Sequence, residues 1–187
     1  MFSDEFAMNV LETPLAGAIV LQPKVFGDER GFFLESYNEK VFASLGIRER
    51  FVQDNHSYSK RGVLRGLHYQ VGKPQGKLVR VIYGEILDVF LDLRRSSPTF
   101  GRSHSVKLSG NNRLLAWIPV GFAHGFQVLS ESAHVLYKST AFYAPELERT
   151  IQWNDPELQI EWDDSLPPIL SEKDRNGTGF RDAETFD

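Results

Sequence analysis

The chain has 187 residues, 41% hydrophobic and 25% charged, with a formal charge of −4 and no cysteine. That size suits one domain with a real core, and the mild acidity disfavours nucleic acid as a partner. The lack of cysteine excludes disulfides, thiolate metal sites and a cysteine nucleophile, and it fits a cytoplasmic protein.

Residues 1–8 read as an acidic, flexible stub with no basic segment of a secretory signal, and Met8 is a candidate alternative start. No apolar run approaches the roughly 18 residues of a membrane span. The first β-type run is 18–21, and a second, 32–37, follows the turn-like 27–31. Residues 39–45 pattern as a helix. Gln53-Asp54-Asn55-His56-Ser57 reads as a loop, because such side chains bond their own backbone. In Leu64-Arg65-Gly66-Leu67-His68-Tyr69-Gln70, strand alternation puts Leu64, Gly66, His68 and Gln70 on one face and Arg65 and Leu67 on the other. A histidine aligned with a glycine has room in front of it for a ligand.

The clearest β signal is 77–93, read as a hairpin turning at Gly84-Glu85. Val79, Val81 and Tyr83 share one face before the turn, and Leu87, Val89, Leu91 and Leu93 share one after it. The opposite face carries Asp88, Phe90 and Asp92, which suits either a wet face or a polar cavity. Runs at 106–108, 114–118, 126–129 and 134–140 continue the series. Ser171, with Asp174 three residues on, caps a short helix over 171–175, and 176–187 is a C-terminal tail. Many short strands at regular spacing imply a mostly β protein, an antiparallel sandwich or barrel with a few short helices, in a single domain over 1–187. Such barrels can enclose ligand cavities.

Five histidines are candidates for chemistry, though a lone histidine is more often a hydrogen-bonded structural residue. His124 is the one titratable group in the apolar stretch 118–126, a setting that perturbs pKa values. Lys77 opens a strand, and Tyr137 and Tyr143 flank the end of another; surface exposure and packing are their ordinary roles. There is no phosphate-binding loop, dinucleotide fingerprint, nucleophile elbow or zinc-protease motif. Gln70 stands where a second metal-binding histidine would follow His68, and one imidazole beside a glutamine is a poor metal site.

Nine stretches together resemble the dTDP-4-dehydrorhamnose 3,5-epimerase family. They are VFGDERGFFLESYN (25–38), FVQDNHS (51–57), GVLRGLHYQ (62–70), QGKLVRV (75–81), SPTFG (97–101), WIPVGFAHGF (117–126), LYKST (136–140), WNDP (153–156) and LSEKD (170–174). The chain departs from many members at Val120, a position without assigned chemistry. The resemblance implies a cupin fold, a double-stranded antiparallel β-helix. It implies epimerisation of carbons 3 and 5 of dTDP-4-dehydro-6-deoxy-D-glucose through an enolate, without metal or other cofactor. His68 would be the base, Asp174 its orienting carboxylate, Tyr137 the proton donor across the sugar and Lys77 the cation at the enolate oxygen. Arg65 and His124 would contact the diphosphate and sugar, and Tyr143 would stack on thymine. Arg30, Glu35, Gln53, Asn55, Glu148 and Lys173 would make further substrate contacts. Arg30 and Glu35 would do so across a homodimer. An epimerase of only one carbon, a metal-dependent cupin and a non-catalytic sugar-nucleotide binder are the alternatives.

Overall fold

A computed structural model describes residues 8–165 and 167–187. The expectation for 1–8 falls outside the described residues except at Met8, which opens a strand and is buried.

Thirteen strands are described: β1 (Met8–Glu12), β2 (Ile19–Pro23), β3 (Val25–Asp28), β4 (Gly31–Leu34), β5 (Gln53–Lys60), β6 (Leu64–Gln70), β7 (Lys77–Tyr83), β8 (Glu85–Asp92), β9 (Ser103–Ser109), β10 (Leu115–Ile118), β11 (Phe122–Val128), β12 (Ser132–Ser139) and β13 (Glu148–Thr150). Two short helices are α1 (Glu39–Ser44) and α2 (Glu172–Arg175). One sheet runs β1-β2-β10-β7-β12-β5, the other β13-β6-β11-β8-β9, and β3-β4 is a separate two-stranded ribbon. The strand pairings within all three are antiparallel. This is the mostly β, antiparallel architecture the strand spacing implied, and it fits the cupin fold the resemblance implied.

The two sheets face one another, and alternation along each strand sorts side chains into layers. Val79 and Val81 of β7, Val135 of β12, Ile86 and Phe90 of β8 and Phe126 of β11 meet in an inner core. Burying a side chain such as Phe90 is worth about 1.5–3 kcal/mol. The outward residues of β8, Val89 and Leu91, join Leu67, Tyr69 and Ile151 in an outer core, against which Phe180 and Phe186 of the C-terminal tail pack. On the far side of the six-stranded sheet, Phe42 of α1 packs on Leu21, Leu78 and Trp117.

Three local expectations are corrected. Residues 77–93 are not a hairpin: β7 pairs with β10 and β12, whereas β8 pairs with β9 and β11 in the other sheet. The chain crosses between sheets at Gly84, where φ is +79° and an added Cβ would lie 2.0 Å from the Ser132 carbonyl oxygen. Each strand carries apolar residues on two packed faces, so alternation could not tell a hairpin from a crossing. The polar segment at 53–57 is not a loop but the start of β5, paired along its length with β12. It is an edge strand with alternating exposure, and polar side chains suit it because its inward face meets a polar cavity. The run at 32–37 ends as a strand at Leu34.

Candidate active site

A pocket of about 340 Å³ opens between the two sheets. The five-stranded sheet supplies His68 from β6 and His124 from β11, and the six-stranded sheet supplies Lys77 from β7 and Tyr137 from β12. His68 and Tyr137 thus face the cavity from opposite walls.

His68 is positioned by a carboxylate distant in sequence. Its Nε2 lies 2.6 Å from Oδ1 of Asp174, 106 positions away. A carboxylate only accepts, so Nε2 carries the proton and Nδ1 keeps its lone pair. Asp174 is itself fixed on every side. Its Oδ1 also accepts from the Gly66 N–H at 3.2 Å, and its Oδ2 accepts from the Ser171 hydroxyl at 2.6 Å. Ser171 caps α2 by accepting from the Asp174 N–H. The helix is tethered to the barrel because Ile169 pairs with the chain just before β6, accepting from Leu64 N–H and donating to the Gly62 carbonyl.

Burial alone would raise the Asp174 pKa, but the hydrogen bonds from His68, Ser171 and Gly66 outweigh it and hold it at about 2. The His68 pKa is lowered, first by burial and then by the nearby charges of Lys173 and Lys77, against the pull of Asp174. The pair therefore rests as carboxylate and neutral imidazole. Burial lowers the Lys77 pKa to about 8, and its Nζ lies 3.4 Å from the His68 carbonyl oxygen. Tyr137 is pushed up, chiefly by burial, and stays a neutral phenol at pH 7.

His124 is backed in the same way. Its Nε2 is 2.7 Å from Oδ1 of the fully buried Asp88. Sequence reading left Asp88 open between a wet face and a polar cavity; the structure puts it inside, behind His124. Its partner in that pattern, Asp92, is also buried but belongs to another cluster, bonded to Arg94, Ser97 and Thr99.

Arg65 corrects the alternation reading. It lines the same pocket as His68. Between β6 and β11 the register pairs His68 with His124 but Arg65 with Phe126, so β6 holds one extra residue there. This bulge turns Arg65 to the cavity side, where its Nε donates to Ser59 Oγ at 3.1 Å. Gly66 does not make room for a ligand either. A Cβ there would meet Gly125 Cα at 2.5 Å and the His124 carbonyl oxygen at 2.7 Å, so the glycine permits close approach of two strands.

The remaining lining residues form a polar rim. Glu148 Oε2 accepts from the Tyr143 hydroxyl at 2.9 Å and from Lys173 Nζ at 2.8 Å. Gln53 Nε2 donates to Asn55 Oδ1 at 2.8 Å. Gln75 and Ser57 line the pocket too, and were not singled out from sequence. Ser57 Oγ and Asp88 Oδ2 are buried without a protein partner. Arg30 and Glu35 lie elsewhere in the same chain. Arg30 sits at the exposed turn of the β3–β4 ribbon paired with Asp28, and Glu35 accepts from Asn38. Gln70 bonds the Lys73 and Phe142 carbonyls and the Ala144 N–H. Among the described residues, no group of three or more His, Cys, Asp or Glu could hold a metal ion. No helix among them is long and apolar enough to cross a membrane.

A cupin barrel whose cavity brings a carboxylate-backed imidazole, a phenol and an ammonium together has the equipment of an isomerase that moves protons at carbon. The comparisons specify which. The family model described as dTDP-4-dehydrorhamnose 3,5-epimerase matches residues 12–182. The chain is 57% identical to the dTDP-4-dehydrorhamnose 3,5-epimerase of Pseudomonas aeruginosa, over 96% of this chain and 99% of that protein. It is 53% identical to the enzyme of that name from Methanothermobacter thermautotrophicus, over 94% of this chain and 96% of that one. The crystal structure of the dTDP-6-deoxy-D-glucose-3,5-epimerase of Legionella pneumophila, in complex with dTDP-4-keto-L-rhamnose, superposes with a TM-score of 0.92 at 49% identity, covering 95% of each chain. A 3'-monoepimerase of Streptomyces bikiniensis in complex with dTDP-quinovose gives 0.84 at 31% identity, covering 89% of this chain and 85% of that one. The chain belongs to the dTDP-4-dehydrorhamnose 3,5-epimerase family.

Proposed function

We propose that the chain carries out its family's reaction, inverting carbons 3 and 5 of dTDP-4-dehydro-6-deoxy-D-glucose to give dTDP-4-dehydro-L-rhamnose. The ketone at carbon 4 acidifies the hydrogens on both neighbours. Neutral His68, kept in one tautomer by Asp174, removes one of them. The electron pair passes to the ketone oxygen, where the Lys77 ammonium stabilises the enolate. Tyr137 donates a proton to the same carbon from the other face; His68 then releases its proton to solvent and the Tyr137 phenolate takes one up, and repetition at the second carbon completes the product. The observation that carries this reading is the placement of His68 with Asp174 on one sheet and of Tyr137 on the other.

Arg65 and His124 are assigned to the diphosphate and sugar, and Gln53, Asn55, Glu148 and Lys173 to further contacts. Tyr143 is assigned to the thymine ring. Arg30 and Glu35 lie away from this pocket in their own chain, and we assign them to the partner's pocket in a homodimer. Helix α1, helix α2 and the C-terminal tail pack on the two sheets, and the chain is taken as one catalytic domain. The reaction is assigned to the cytoplasm, a reducing compartment that suits a chain without cysteine. The similarity to a 3'-monoepimerase favours one alternative, inversion of a single carbon.

Incubation with dTDP-4-dehydro-6-deoxy-D-glucose in deuterated water tests both readings. Deuterium at carbons 3 and 5 with inversion of both supports the main reading. Label at one carbon alone selects the monoepimerase, and no label at either rejects both.

A further inference from the structure

Residues 141–144 run from the end of β12 to a 3-10 turn at Pro145–Leu147, outside both sheets. The segment carries Tyr143 at the pocket rim, half exposed. Irregular backbone still has to satisfy its N–H and C=O groups. Here four of them are met by glutamine side chains. Gln75 Nε2 donates to the Ala141 carbonyl at 2.8 Å. Gln70 Nε2 donates to the Phe142 carbonyl at 3.3 Å, and its Oε1 accepts from the Ala144 N–H at 2.8 Å. Gln53 Oε1 accepts from the Tyr143 N–H at 2.9 Å.

The three glutamines come from β5, from the end of β6 and from the loop before β7. A primary amide carries a donor N–H and an acceptor oxygen side by side, as a peptide group does, so it can replace a missing strand on either side of a peptide. Gln70 uses both ends of its amide and is 2% exposed, anchored also to the Lys73 carbonyl at 2.9 Å.

We propose that Gln53, Gln70 and Gln75 are positioning residues, a clamp that holds 141–144 in the one shape that presents Tyr143 to the base of a nucleoside diphosphate. This rests on the reading of Tyr143 as the base-contacting ring. It gives Gln53 a second task beside the substrate contact: its Oε1 accepts from Tyr143 N–H and its Nε2 donates to Asn55, which leaves one N–H and one lone pair for the ligand. Without the clamp the strap must be ordered by the ligand, which costs affinity and leaves the distant proton-transfer groups unchanged.

The test is calorimetric titration of dTDP into the full chain and into Gln75→Ala, Tyr143→Ala and the double variant, with KM and kcat on the keto-sugar. Gln75 is half buried, so its variant folds where removal of the buried Gln70 can unfold the barrel; a thermal melt checks this. Gln75→Ala is expected to weaken dTDP binding and raise KM about 5- to 10-fold, the loss of one hydrogen bond. kcat should stay within about twofold. In the Tyr143→Ala background the same change should cost less than about twofold. Equal loss with and without Tyr143, or a fall in kcat at unchanged KM, overturns the clamp. Failure of dTDP to bind the unaltered chain overturns both the clamp and the nucleotide reading. Binding without deuterium exchange defeats only the His68 assignment and leaves the clamp test intact.

Discussion

In the proposed mechanism the pKa values of His68 and Lys77 set opposite edges of a working pH range. The His68 pKa is depressed below 6.5, so the base-competent neutral form is lost only as pH falls below that value. Lys77 loses its proton above about 8, and in the proposed mechanism the enolate then loses its cation. The kcat profile is expected to be a bell with its upper edge near pH 8. Lys77→Arg should move that edge up by more than a unit, because guanidinium does not deprotonate in this range. An upper edge unmoved in that variant assigns the limb to another group. Asp174→Asn keeps the shape of the site but removes the charge and the acceptor that set the His68 tautomer. A loss of about 10²- to 10⁴-fold in kcat is expected. The Asp174 pKa is lowered to about 2 from 3.8, so its contribution to stability is full above 3.8 and is lost as pH falls towards 2.

At the scale of elements, the β6–β11 contact decides whether the site assembles. Gly66 and Gly125 face each other so closely that a side chain on either meets backbone, and Gly66 also has φ +117°. Gly66→Ala is expected to destabilise the chain by about 3 kcal/mol or more, read from the denaturant midpoint. It should also separate Arg65 and His68 in the pocket. An unchanged midpoint argues that the strands adjust freely there. The bulge was illegible in the sequence because alternation assumes an unbroken pleat, and one inserted residue reverses every later assignment along the strand. The crossing at Gly84 was misread for a related reason: the hydrophobic period is the same whether the next strand joins the same sheet or the facing one. α1 and the capped start of α2 were legible, since capping is a local matter of a few residues.

At the scale of the molecule, the C-terminal tail is part of the structure. Phe186 donates its N–H to the Leu93 carbonyl and accepts from Arg95 N–H, and Tyr69 donates to the Glu184 carbonyl. Phe180 and Phe186 pack on the outer core behind His68's strand. Removing residues 177–187 is expected to cost about 3–5 kcal/mol in apolar burial alone. A thermal melt should then show a midpoint lower by roughly 10 °C or more. The homodimer assignment has its own test. Arg30→Ala and His68→Asn should each be inactive. Mixed in equal amounts and allowed to exchange, they should recover about a quarter of full activity if Arg30 serves the partner's pocket. A mixture that stays inactive places Arg30 in its own chain's site or in none.

The chain itself determined the β class, most of the strand positions and the residue types for proton transfer, because alternation, turn residues and caps act over a few positions. Its motifs also carried the family likeness over nearly the whole length. Tertiary structure alone decided which residues meet. Asp174 reaches His68 across 106 positions through the tether at Ile169, and Asp88 lies behind His124 because β8 and β11 are neighbours. Gln70, read as the place of a missing metal ligand, turned out to hold the Tyr143 strap. Pairings of this kind depend on sheet order and register, which long-range packing sets and no local pattern records.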